Sequence, residues 1–163
     1  MLNQLEASLE GLFKGAPKLP EKAKDAIVQW LPWINLILGV LSLWAAYSLW
    51  RWADVANNLV NYANELSRAL GGTGVSVDRF TVGVWIAIAV LVVEAILYLG
   101  AFSGTRDRKK SGWNLLFYAL LVNIVYGVVV LFTDYGGIGN FLGYVIGSVI
   151  GLYFLFQLKP KYN

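Results

Sequence analysis

The stretch WLPWINLILGVLSLWAAYSLW, residues 30–50, decides the fold. It carries no Asp, Glu, Lys or Arg, and its length matches the ~20 apolar residues that an α-helix needs to cross a hydrocarbon core. Trp30, Trp33, Trp50 and Trp52 gather at its two ends, as aromatic belts do at membrane interfaces. The run is longer than the core of a cleaved signal, about 7–15 residues, and no small-residue cleavage site follows it, so it reads as a retained span. Pro32 falls in its first or second turn, where proline is tolerated or bends the helix mildly.

Working outward, three more apolar runs of similar length lie at about 80–102, 113–132 and 138–158. The spacing predicts an all-α, polytopic membrane protein whose four transmembrane helices occupy residues 30–158. Composition agrees: of 163 residues, 58% are hydrophobic, 15% aromatic and 14% charged, with a mean hydropathy of +0.59. One four-helix unit uses the whole chain.

The segments beside the spans have another pattern. In residues 1–29, Leu2, Leu5, Leu9, Leu12 and Phe13 recur at helical spacing, which predicts a short amphipathic helix lying at the inner interface. Pro20 is placed to open the next helix, because the first helical N–H has no partner in any case. After the first span, Val55, Leu59, Tyr62, Leu66 and Leu70 recur at intervals of three and four among several asparagines. They predict an amphipathic extracytoplasmic helix over 51–70 that either extends the first span or lies on the surface. Gly71 and Gly72 end it. Residues 159–163 form a short tail.

Orientation follows from the basic residues near the span ends. One side receives Lys14, Lys18, Lys22, Lys24, Arg106, Arg108, Lys109, Lys110, Lys159 and Lys161, and the other only Arg51, Arg68 and Arg79. Both termini and the 103–112 loop are therefore expected in the cytoplasm. The 51–79 segment and the glycine hairpin at 136–137 are expected outside.

The residue inventory narrows the chemistry. Cysteine and histidine are absent, which removes thiolate nucleophiles, the usual general base near neutral pH and the commonest metal ligands. Neither a phosphate-cradling glycine loop nor a paired-carboxylate metal motif is found. No cofactor, metal site or enzymatic activity is expected. The net charge of +3 comes from residues that flank the spans and form no single stripe, so nucleic acid is not an expected partner.

Three constellations remain. Glu94 is the one carboxylate within a span, and counting about 1.5 Å per residue from the basic side puts it roughly 12 Å deep. Asn123 and Ser148 fall at roughly 15 Å on the same count, so the three are expected to share a polar layer. Such a layer serves either to tie helices together by hydrogen bonds or to bind a coupled ion. The second constellation is Gly139, Gly143, Gly147 and Gly151, which recur every four residues on one helical face. That face permits close helix approach. Its partner is either a second copy of the chain or, internally, the first or second span with Gly39, Ser42 and Ala46, or Gly83 and Ala87. The third is Arg106, Arg108, Lys109 and Lys110, a basic cluster that attracts anionic lipid head groups, although topology alone demands similar charges.

The segments KKSGW (109–113), LLFYALLVNIVYGVV (115–129) and GSVIGLYFLFQLK (147–159) resemble small four-span membrane proteins of reduced-genome bacteria. The resemblance covers the chain from about residue 104 onward and implies a bacterial inner membrane. It carries no activity and no site residues. The expected role is structural or accessory, through helix contacts with itself or a partner membrane protein. The rival expectation is a subunit of an oligomeric small-solute or ion transporter that uses Glu94.

Overall fold

A computed structural model describes residues 2–73, 78–132 and 138–163. The expected glycine hairpin at 136–137 lies outside them, as do Gly74 and the rest of 133–137. The described residues form α1 (Leu2–Leu12), α2 (Glu21–Ala69), α3 (Asp78–Arg106), α4 (Lys110–Leu131), α5 (Ile138–Leu158) and a single 3₁₀ turn, Lys159–Lys161. Four of these helices, α2 to α5, are long and apolar enough to cross a membrane.

The first span and the 51–70 segment are one helix. α2 runs unbroken from Glu21 to Ala69, and its one internal proline, Pro32, is its twelfth residue; it lies in the fourth turn rather than the first or second as expected, where it removes a single N–H, the one that would bond the Val28 carbonyl. At about 1.5 Å per residue the helix is about 74 Å long, more than twice the ~30 Å hydrocarbon core. It ends as its glycines require: Gly71 adopts φ +79°, its N–H donates to the Arg68 carbonyl, and the Gly72 N–H donates to Ser67. This is the two-bond left-handed cap that glycine adopts without strain.

The 103–112 loop is far shorter than expected. α3 runs on to Arg106 and α4 begins at Lys110, because a second cap of the same kind closes α3. There Arg108 holds the left-handed position at φ 55°. Its N–H donates to Thr105, and the Lys109 N–H donates to Gly104.

α2, α3, α4 and α5 stand side by side in chain order, each antiparallel to the next, and α5 scarcely touches α2. Asn35 meets Thr105 across α2 and α3, and the Asn123 side chain meets Glu94 across α4 and α3. The row closes at the end where the basic residues collect. There Val28, Ala101, Trp113, Leu116, Phe117, Leu152, Leu155, Phe156, Leu158 and Tyr162 form the core. Trp113 is fully buried, lies stacked on Phe117 at 5.5 Å, and donates its indole N–H to the Leu155 carbonyl at 2.8 Å. The bond satisfies the one polar atom of a large apolar side chain, as burial of tryptophan demands.

α1 is expected to rest at an interface; its contacts dock it on this closed end. Glu6 pairs with Lys159 and Lys110, and Glu10 with Lys159. Phe13, just beyond the helix, packs against Tyr153 and Phe156. The tail is held as well: Lys161 pairs with Glu21 and Asp25, and Asn163 exchanges backbone hydrogen bonds with Lys110 and Arg108.

Candidate functional site

Away from the basic end the row of helices separates and leaves a cleft of 840 Å³. Its walls are the glycines Gly83 on α3 and Gly139, Gly143 and Gly147 on α5, with Val84, Ala87 and Val129 beside them. Toward the middle of the bundle the lining becomes polar, with Tyr98, Asn123, Tyr144 and Ser148.

The polar layer is only partly assembled. Asn123 donates its Nδ2 proton to Glu94 Oε1 at 2.7 Å. Glu94 is 9% exposed, so the amide faces a carboxylate largely shut off from the surroundings of the bundle. Ser148 stands beside the same cleft and is 3% exposed, but no hydrogen bond joins its hydroxyl to Glu94 or Asn123. The expected three-residue layer is therefore a hydrogen-bonded pair with a serine nearby.

The glycine face divides. A Cβ placed on Gly151 would stand 2.7 Å from Leu120 of α4, so this position is closed by internal packing. Gly139, Gly143 and Gly147 have nothing within 4 Å of such a Cβ. The expectation of internal packing against the first or second span thus fails for these three, and Gly151 finds its partner on α4. The reason is positional: α5 ends the row and can contact α4 but not α2 or α3 along its open half.

Besides Gly151, other glycines bring helices together. Gly39 is set against Leu99, Gly127 against Tyr144, and Gly104 against Gly112. Gly39 belongs to the small-residue face Gly39, Ser42 and Ala46 of the first span but meets α3 rather than α5; Gly104, Gly112 and Gly127, spread over separate spans, show no repeat that sequence reading would single out. A second missed pair is Asn35 and Thr105, buried at 1% each, where Asn35 Nδ2 donates to Thr105 Oγ1 at 3.2 Å. Thr105 in turn donates to the Ala101 carbonyl at 2.7 Å. A lone asparagine in the otherwise apolar run WINLIL was the available signal.

The basic cluster also divides. Lys109 pairs with Asp107 and Lys110 with Glu6. Arg106 and Arg108 form no ion pair among the described residues, and both line a small pocket of 220 Å³ with Val28, Gln29, Pro32 and Trp33. Among the described residues no group of three metal-ligating side chains occurs. Comparison with protein-family models, curated proteins and solved structures finds no match to this chain.

Proposed function

We propose that this chain is a multi-pass inner-membrane protein with its basic end in the cytoplasm, and that it acts as a structural or accessory subunit through helix contacts. The observation that carries the reading is the uncovered state of Gly139, Gly143 and Gly147. Glycine in a helix interior is unfavourable by about 1 kcal/mol relative to alanine, and close approach of another helix is the usual compensation in a membrane. Among the described residues of one chain these three have no such contact. A helix treated as a cylinder about 10 Å wide with a 5.4 Å pitch fills roughly 420 Å³ per turn. The 840 Å³ cleft therefore has room for about two turns, the length over which the three glycines extend.

A second copy is the occupant this reading favours. The outer half of α2 carries Val55, Leu59, Tyr62 and Leu66, all exposed, at the alternating three- and four-residue spacing of a coiled-coil seam. This self-complementary stripe rises from the same end as the cleft. Both surfaces would be covered in one assembly.

The test is the mass of the detergent-solubilised protein. Wild type should run as an oligomer, and Gly147→Leu should give a folded monomer. A monomeric wild type that folds equally well with leucine at 147 refutes the reading. A complex that contains a different protein replaces self-association by a foreign partner. The transporter reading is favoured by one observation, the Glu94 and Asn123 pair beside the cleft floor, and it requires that Glu94→Gln abolish flux into proteoliposomes without altering assembly.

A further inference from the structure

We propose that Arg106, Arg108, Gln29 and Trp33 form a binding site for the phosphate of an anionic phospholipid. Lys109 and Lys110, the other half of the basic cluster, already pair with Asp107 and Glu6. Both arginines line the 220 Å³ pocket, whose remaining lining is Val28, Gln29, Pro32 and Trp33, with no carboxylate. At ~30 Å³ per water molecule that space equals about seven waters, enough for a phosphate and its nearest ester atoms. Arginine suits this ligand because its planar fork places two N–H groups on two phosphate oxygens at once.

Arg108 supplies an independent sign. It occupies the left-handed cap position, φ 55°, that glycine fills at the end of α2. A side chain kept there against its backbone preference points to a use for the side chain.

The surroundings favour a lipid over free phosphate. Trp33 forms the pocket's apolar edge, set edge-on against Phe102 at 5.8 Å. From it the residues Trp33, Ile37, Leu41 and Trp44 follow one another up an exposed face of α2, at 53%, 58%, 52% and 68% exposure. The eleven residue-to-residue steps from Trp33 to Trp44 rise about 16 Å, close to half of a ~30 Å hydrocarbon core. The head group site thus opens onto a track one leaflet deep, which an acyl chain needs and a soluble anion does not.

The site rests on the reading of the chain as a membrane protein, and the test separates the two. Full-length protein is reconstituted into nanodiscs of phosphatidylcholine with a minor fraction of phosphatidylglycerol, and the lipid retained after mild detergent washing is identified by mass spectrometry. Phosphatidylglycerol should be enriched over phosphatidylcholine. Arg106→Gln and Arg108→Gln should each reduce that enrichment about fivefold, while Lys14→Gln and Lys18→Gln, which alter net charge equally, leave it unchanged. Equal losses from the lysine variants mean diffuse surface attraction and overturn the site, as does retention unaffected by either arginine. Displacement of the lipid by millimolar inorganic phosphate overturns the lipid source. Arg106→Lys keeps the charge and serves if glutamine at 106 impairs folding; its enrichment should still fall, because the fork is lost. A chain that cannot be reconstituted at all refutes the membrane reading instead.

Discussion

Gly104 of α3 and Gly112 of α4 lie backbone against backbone: a Cβ on Gly104 would stand 2.6 Å from both Cα and N of Gly112. No real side-chain carbon approaches a main chain so closely, so even alanine forces the two helices apart where the tight turn at 107–109 leaves no slack. Overpacking of this kind costs about 1–3 kcal/mol. Gly104→Ala and Gly112→Ala should each lower the midpoint of thermal unfolding in detergent. Gly143→Ala should lower it far less, since nothing in the same chain lies within 4 Å of a Cβ there and alanine, the better helix former, still permits near approach of a second copy.

Arg108→Gly separates stability from ligand binding. A non-glycine residue in the left-handed region is unfavourable by about 1–2 kcal/mol, so glycine at 108 should raise the unfolding midpoint. The same change removes a guanidinium and should lower phosphatidylglycerol retention. A variant less stable than wild type would show that the Arg108 side chain holds the turn together.

Asn123→Leu should destabilise the bundle, because it leaves the Glu94 carboxyl without the amide that donates to it. Interhelical hydrogen bonds in membranes are worth about 0.6–2 kcal/mol, and the loss should lie in or above that range. Glu94→Gln keeps an acceptor for Asn123 and should keep most of the stability. Chemical unfolding in mixed micelles measures both, and equal losses for the two variants would mean that the carboxyl itself matters structurally.

Tyr162 is 5% exposed, and its hydroxyl has no hydrogen-bond partner among the described residues. Burial pushes the phenol up to about 12, with the Arg108 charge opposing. The folded state therefore favours the protonated form. The resulting stability is complete below the unfolded value near 10 and is lost as pH rises through about 12. Tyr162→Phe should leave the fold intact and be neutral or stabilising at neutral pH, since an unpartnered buried hydroxyl is unfavourable by about 1–3 kcal/mol. It should also shrink the loss of helicity between pH 10 and 12 relative to wild type, as read by circular dichroism.

The proposed orientation is open to single-cysteine labelling, because the chain has no cysteine of its own. Cysteines at Ser8 and Ser111 should stay unreactive to an impermeant thiol reagent added to intact cells, and one at Asn58 should react. Labelling at Ser111 from outside would reverse the topology.

The sequence by itself determined the number of long apolar helices and the place of each along the chain, because that information is local. A run such as 138–158 has only to be long and uncharged, and α5 has the expected bounds. It also indicated that Glu94 needs an interior partner, since burying a carboxylate limits where its side chain can go. What only the tertiary structure decided is which surfaces meet. Small residues at spacing four mark a face able to accept a helix, but whether one arrives depends on the order of helices in the bundle. α5 stands at the end of the row, so Gly139, Gly143 and Gly147 stay open while Gly104 and Gly112, with no repeat to announce them, touch. The same holds for charge: position near a span end is a property of the chain, whereas the pairing of Lys110 depends on Glu6 brought in from α1, and Arg106 and Arg108 meet no carboxylate in an ion pair among the described residues.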